Sequence, residues 1–329
     1  MNRWLAALLI AAMVGFGVAV NRGIALLKTT PTGVALRPTE EKPRLSLPGT
    51  IYLAQQGSLY RFRDGAFTQL SLPSGHWQQP AVMAGGSILA VQRGDQYSDL
   101  YLLARDGHVV RQLTHNAASG VTSNHWAFYP HPSVDGSTIY YSSDNPKAGF
   151  RVDFAIWRLG RGGGGLPRRL TTPNDYTGGD VVPLPLPNGG LLYSGYSLDE
   201  KGNVVSKLML QASSHGTGAP LTTSVDDCGQ PAISGDARKV AMACTAAGQQ
   251  AKLELADFDG STLSGVRVLV QGVQLGAPAF SPDGSTIAYL APAAAQGRFQ
   301  LWTVTVSGQV RQITDHLDLD ATSPPAWSG

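Results

Sequence analysis

The sequence predicts an all-β fold, a six-bladed β-propeller with N-/C-terminal strand closure, preceded by an N-terminal apolar helix. Three observations carry the prediction. Asp-Gly-Ser-Thr-Ile occurs at Asp135–Ile139 and again at Asp283–Ile287. Val110-Arg111-Gln112-Leu113-Thr114 returns as Val310-Arg311-Gln312-Ile313-Thr314. An anchoring proline recurs at Pro80, Pro130, Pro183, Pro231, Pro278 and Pro325, spaced 50, 53, 48, 47 and 47 residues apart. That is close to the ~40–50 residues of a four-stranded propeller blade. An all-β sandwich with chance Asp-Gly turns is the competing architecture, and it leaves the six-fold phasing unexplained.

Taken in order, the chain opens with Arg3 and an uncharged apolar run, Trp4 to Val20. The run is long for a signal peptide's apolar core and slightly short for a full membrane span. Residues 1–27 therefore read as a signal-anchor or a signal peptide, with Gly17-Val18-Ala19 a small-residue cleavage site if it is cut. Either way the remainder is expected outside the cytoplasm, membrane-anchored or secreted, with residues 4–20 meeting the membrane. Residues 28–48 are Pro-rich, mixed in charge and without apolar periodicity, and read as a tether. The propeller is expected over 49–329.

Each repeat has the same parts. The anchoring proline lacks an N–H and suits the innermost strand, whose channel-facing edge has no partner. A turn follows; its best copy is Pro282-Asp283-Gly284, where Pro fixes φ and Gly accepts φ > 0. A second turn is marked by Asp64-Gly65, Asp106-Gly107, the Gly162–Gly165 run, Gly216–Gly218, Asp259-Gly260 and Ser307-Gly308. The repeat closes on a Leu-Thr-like pair: Leu70-Ser71, Leu113-Thr114, Leu170-Thr171, Leu221-Thr222, Leu269-Val270 and Ile313-Thr314. The chain ends on Pro325-Ala326-Trp327-Ser328, which matches the first strand Pro278-Ala279-Phe280-Ser281. Thr50–Ala54, Ser58–Phe62 and Ala66–Leu70 match later strands. One blade is therefore expected to draw on both ends of the chain, closing the ring and hiding its edges.

These residues resemble the TolB-type six-bladed propeller with PD40 (WD40-like) repeats, whose repeat reads Leu-Thr, a short loop, Pro-x-Trp/Phe-Ser-Pro-Asp-Gly and an apolar strand. The resemblance runs from about Thr50 to Gly329 and is sharpest at Ala279–Gly284; the copies near Pro80, Pro183 and Pro231 are eroded. TolB carries an α/β domain ahead of its propeller, and about twenty tether residues stand in its place here. The bacterial cell envelope is the location this resemblance implies.

Composition agrees with a Gly/Pro-punctuated β chain: 329 residues with 39 Gly, 21 Pro and 15% charged residues. A net charge of +2 implies no nucleic-acid partner. Pairing strands about Gly235-Asp236 brings Cys228 within one residue of a position opposite Cys244, so a cross-strand disulfide is expected; two free thiols or a metal pair are the alternatives.

Catalytic signatures are sparse. Gly195-Tyr196-Ser197-Leu198-Asp199 fails the nucleophile-elbow pattern at its last residue, and neither a His-Glu-x-x-His motif nor a phosphate loop occurs. Gly162–Gly165 reads as a hairpin turn, and Arg158, Arg161, Arg168 and Arg169 around it as a solvated edge or a contact for anionic headgroups. The candidate site is a binding rim in the loops from each outer strand to the next inner strand. It comprises His76, Trp77, His115, Asn124, His125, Trp126, Asp175, Tyr176, Asp180, Asp227, His316 and Asp320. Aromatics beside His and Asp on rigidly held loops suit a protein, peptide or glycan partner. Long loops at 142–154 and 194–206 are expected to wall the same face. No cofactor is expected, apart from a divalent metal in the channel or rim. Such a metal would belong to an alternative reading, a lyase- or lactonase-type propeller enzyme acting on a sugar derivative. Another alternative leaves the rim purely structural, with the tryptophans packed over the blade tops.

Overall fold

The computed structural model describes residues 47–144, 153–173, 177–213, 216–272, 274–293 and 297–329. All lie in one compact unit, Glu40–Gly329. The apolar helix expected within residues 1–27, and nearly all of the tether, fall outside the described residues.

Alternating apolar strands punctuated by Gly and Asp turns give six four-stranded antiparallel sheets. Blade 1 contains β1 (Thr50–Gln55), β2 (Ser58–Arg63) and β3 (Ala66–Gln69). Blade 2 contains β4 (Trp77–Val82), β5 (Ile88–Arg93), β6 (Ser98–Leu103) and β7 (Val109–Gln112). Blade 3 contains β8 (Ala127–Pro132), β9 (Thr138–Ser143), β10 (Ala155–Gly160) and β11 (Arg168–Arg169). Blade 4 contains β12 (Asp180–Pro185), β13 (Leu191–Leu198), β14 (Val204–Gln211) and β15 (Ala219–Pro220). Blade 5 contains β16 (Cys228–Ile233), β17 (Lys239–Cys244), β18 (Ala251–Phe258) and β19 (Leu263–Gly272). Blade 6 contains β20 (Gly276–Phe280), β21 (Thr286–Pro292), β22 (Phe299–Thr305) and β23 (Val310–Gln312). The last strand, β24 (Ala326–Ser328), returns to blade 1 and pairs with β1 through Thr50↔Ser328, Ile51↔Trp327 and Tyr52↔Ala326. The indole of Trp327 also donates to the Pro48 carbonyl at 2.7 Å. The two ends of the propeller therefore share one sheet, as expected.

Apolar side chains fill the seams between blades, each seam holding its own cluster. The blade 6–1 and blade 4–5 seams are the largest, each with eleven buried residues; Ile51, Phe62, Leu290 and Leu301 are among those of the first. Among the described residues the blade 3–4 seam is the smallest, with Tyr140, Ile156, Leu191 and Tyr193 as its buried cluster. That inequality returns below.

The Leu-Thr pair has a physical role that the structure makes explicit. The Leu N–H donates to a third-strand carbonyl, and the N–H of that same third-strand residue donates to the Thr hydroxyl. Thus Leu113 donates to the Leu100 carbonyl at 2.7 Å, and Leu100 to Thr114 Oγ1 at 2.9 Å. The pattern recurs at Ser71, Thr171, Thr222 and Thr314. The hydroxyl satisfies the third strand where the outer strand peels away, which a buried N–H requires. Blade 5 has Val270 there instead. Its outer strand stays on the ladder, so β19 spans ten residues against two to four in the other blades.

The inner strands carry a feature not expected from the sequence. In five blades the residue before the anchoring proline has positive φ: Gln79 (52°), Tyr129 (53°), Val182 (55°), Gln230 (47°) and Ala277 (55°). Residues before proline ordinarily stay extended. Here each forms a bulge, and the register with the second strand shifts around it. In the sixth copy the equivalent residue is Pro324, whose ring holds φ negative.

The bulge also corrects the cysteine register. It absorbs one residue between Gly229 and Ala232, so Cys228 sits directly opposite Cys244. The two form a disulfide with Cα atoms 4.0 Å apart. The 194–206 segment is likewise not a loop. Ser194 and Ser206 lie within β13 and β14, whose ladder runs to Leu198↔Val204. Asp199 closes the hairpin by accepting from the N–H groups of Lys201 and Asn203. Gly162–Gly165 turns between β10 and β11, with Gly163 and Gly165 at positive φ. Its flanking Arg158 and Arg168 are cross-strand neighbours.

Candidate binding face at the channel mouth

The six inner strands surround a central cavity of about 400 Å³, lined by Pro80, Pro130, Pro231, Pro278 and Pro325 with Tyr129, His131, Phe280 and Trp327 among the other side chains. The lining is mainly apolar. Burial pushes the His131 pKa down to about 4, so this imidazole is neutral at physiological pH.

Four of the five bulge residues, Gln79, Tyr129, Gln230 and Ala277, form a hydrogen-bonded collar. The Gln79 N–H donates to Ser323 Oγ at 2.6 Å, and the Tyr129 N–H to Gln79 Oε1 at 2.7 Å. The Gln230 N–H donates to Ser194 Oγ at 3.0 Å, and the Ala277 N–H to Gln230 Oε1 at 2.7 Å. Each bond crosses from one blade to the next. Backbone in a sparsely populated region costs roughly 1–3 kcal/mol and persists where its surroundings hold it; the collar supplies that hold. Ala277 has no acceptor to offer, and the next position, Pro324, has no N–H that would need one. The outward side of the collar is phenolic and acidic. Burial raises the Tyr129 phenol well above its ordinary range, with Tyr196 and Asp320 adding to the shift. Burial likewise raises Tyr196, and Asp227 adds to it.

The rim residues divide into separate groups around this mouth. His76 and Asn124 line a hollow of about 400 Å³ with Arg93, Asp95 and Tyr97. Beside it the Arg93 guanidinium lies 5.6 Å from the Trp126 ring centroid, and Trp126 stacks on Phe128 at 5.7 Å. His125 Nδ1 is 3.5 Å from Asp144 Oδ1, which also accepts the Trp126 N–H. His115 is exposed, and its charge reaches the buried Asp99. His316 is exposed beside Asp315. Asp320 caps its own turn, accepting from the Thr322 N–H and hydroxyl. Asp227 accepts from the Ser206 N–H and hydroxyl.

Two rim residues are placed elsewhere. Trp77 is only 7% exposed, packed edge-on to Tyr101 at 5.2 Å in the blade 1–2 seam. Asp180 is 8% exposed and opens β12 in the blade 3–4 seam. Asp175 and Tyr176 lie outside the described residues. Reading the loops alone missed Gln79, Tyr129, Tyr196 and Gln230. The available signal was position, since three of the four are residues immediately before or paired near an anchoring proline.

Among the described residues, the gathering of three metal-type ligands is Cys228, Cys244 and Glu254, away from the rim histidines. Its two sulfurs are joined to each other. No helix among the described residues is long and apolar enough to cross a membrane.

The overall fold is shared with solved structures. TolB from Acinetobacter baumannii superposes with a TM-score of 0.64 at 16% identity, over 85% of this chain and 66% of that one. A protein described as putative TolB from Agrobacterium tumefaciens gives 0.60 at 17% identity, over 84% of this chain and 92% of that one. The chain carries a TolB-like six-bladed propeller fold. Hydrazine synthase of Kuenenia stuttgartiensis also matches, with a TM-score of 0.60 at 13% identity, over 86% of this chain and 47% of that one. At these identities the likeness establishes the fold alone. No family model matches the sequence, and no curated protein matches it.

Proposed function

We propose that this TolB-like propeller is an exported binding scaffold, held at or released from a membrane by residues 1–27 and a 28–48 tether. Its channel-mouth face docks a protein partner. The observation that carries this reading is the collar. Blade-to-blade hydrogen bonds fix the mouth, and Tyr129, Tyr196, Asp227 and Asp320 crowd its outward side. Beside it, Arg93 over Trp126 offers an amphipathic anchor of the kind that dominates protein interfaces. A rigid mouth loses little freedom on docking, so its contacts translate efficiently into affinity. The Cys228–Cys244 disulfide supports a location outside the reducing cytoplasm.

The test is site-specific photo-crosslinking in intact cells, with the crosslinker placed at Trp126, at His316 and, on the opposite face, at Asp283. A discrete adduct is expected from the first two positions, and it is expected to diminish when Arg93→Ala is combined with the His316 probe. Equal adducts from Asp283 would count against a face-specific dock.

A further inference from the structure

The blade 3–4 seam contains a cleft of about 480 Å³ that is polar and distinct from the channel. Its floor is the face of blade 4 turned toward blade 3. Along β13 that face carries Tyr193, Gly195 and Ser197, and along β14 Lys207, Met209 and Gln211. Leu170, Thr171 and Pro173 of the preceding blade cover it. Asp180, Gly195 and Lys207 are successive cross-strand neighbours. Gly195 has no side chain, so the Met209 side chain and the Asp180 carboxylate lie close over it, with the acid on one side and Lys207 on the other. A methyl there would come within 2.8 Å of Met209 Cγ and 3.2 Å of Asp180 Oδ1.

The polar groups of this cleft are not fully satisfied by the protein. Asp180 is 8% exposed; the Thr171 hydroxyl is its side-chain donor and Arg169 the cation acting on it. Ser197 Oγ is buried without a hydrogen-bond partner. Gln211, 2% exposed at the far end, has an unpartnered Oε1. Orphaned buried acceptors are uncommon in native proteins and call for a specific explanation. Between the two ends, Met209 and Tyr193 are the apolar stretch. The row of Asp180 and the row of Gln211 are four residues apart, about 14 Å at ~3.4 Å per residue.

From this arrangement we infer that the cleft binds a free α-amino acid whose long side chain ends in an N–H donor. The ammonium sits at Asp180 and Ser197, and the carboxylate faces Lys207 across Gly195. The side chain lies along Met209 and Tyr193, and its terminal N–H reaches the Gln211 carbonyl. A zwitterion matches a cleft carrying both signs of charge, whereas a polyamine would meet Lys207 and Arg169 with like charge. A carboxylate alone would leave the Gln211 carbonyl without a donor. The site is independent of the channel-mouth proposal, and neither test bears on the other.

Isothermal titration calorimetry of the purified full-length protein tests it, with L-lysine and L-arginine as probes. Norleucine lacks the terminal donor and n-hexylamine lacks the carboxylate, so they serve as controls. One-to-one binding of at least one probe is expected, at least tenfold tighter than either control. Asp180→Asn is expected to weaken it tenfold or more, and a melting curve reports whether that variant is folded. Lys207→Gln, on a partly exposed side chain, provides a second variant that should weaken the probe without affecting n-hexylamine. Gln211→Leu should erase the preference over norleucine. No heat from any probe at millimolar concentration would overturn the proposal, as would equal binding by folded Asp180→Asn or by n-hexylamine.

Discussion

The seam between blades 1 and 2 and the seam between blades 3 and 4 are built on the same register and filled in opposite ways. Trp77 and Asp180 hold the same place, one residue before the pair that precedes the inner-strand bulge. Ala127 and Cys228 occupy it in blades 3 and 5. In blade 2 the indole packs into a cluster with Tyr52, Leu59 and Leu103 and meets Tyr101 edge-on. In blade 5 the disulfide fills the position. In blade 4 a carboxylate faces a glycine, the apolar cluster shrinks to four buried residues among those described, and a cleft opens. Closure of the ring does not require every seam to be tightly filled. Where filling is given up, polar groups have collected in its place, which is how binding sites differ from cores.

The comparison can be broken first at closure. Deleting Ala321–Gly329 removes β24, its pairing with β1 and the Ser323 hydroxyl that holds Gln79. Loss of a cooperative thermal transition is expected by calorimetry, because blade 1 then lacks its inner strand. A truncated chain melting like the parent would refute the shared blade. Trp77→Ala comes next. It empties a filled seam and should cost about 3–5 kcal/mol in chemical denaturation. Met209→Ala, in the already open seam, should cost clearly less than the buried Met→Ala range of ~2–5 kcal/mol. Similar losses would mean the seams do not differ in packing. Reducing the disulfide follows. It closes a loop with a sequence separation of 16, and about 3 kcal/mol is expected from loop entropy. The sulfurs are buried, so reductant should act only as denaturant is added.

Much of the fold was written in local chemistry. Proline with Asp-Gly, and the hydroxyl after Leu, act within a few residues of themselves, so six copies could be aligned and the shared blade foreseen from Pro325–Ser328. The misses involve register. Gln79, Tyr129 and Gln230 precede prolines and would ordinarily be extended; their left-handed turn depends on hydrogen bonds from the neighbouring blade. The one-residue bulge that sets Cys228 opposite Cys244 follows from the same turn. Trp77 and Asp180 looked like loop residues because strand ends cannot be fixed from composition. A shift of one residue exchanges a rim position for a seam position. The collar and the cleft both depend on contacts between blades some fifty residues apart, and periodicity within a blade does not report these.

The smallest expected effect concerns the acid in the open seam. Burial raises the Asp180 pKa from 3.8 to about 6, opposed by the Thr171 hydrogen bond and by Arg169. Tyr193 and Tyr196 on β13 and Lys207 on β14 are the other titratable groups lining the cleft among the described residues. The folded state thus holds a proton more tightly than the unfolded chain does. Well below pH 3.8 the acid is neutral in both states and carries no penalty. As pH rises toward 6 the unfolded chain ionises first, and folded stability falls. Above that range the penalty is constant, with an upper bound of about 3 kcal/mol at ~1.4 kcal/mol per pKa unit. Asp180→Asn should therefore stabilise the free protein by about 1–3 kcal/mol at pH 7.5 and by little at pH 4, read from denaturation midpoints at the two pH values. Trp77→Ala has no titrating group at the same position, so its effect should not vary with pH in this way. A variant that is destabilised at pH 7.5 would mean the carboxylate is already well paired within the fold, and the open seam would then be a structural feature with no demand for a ligand.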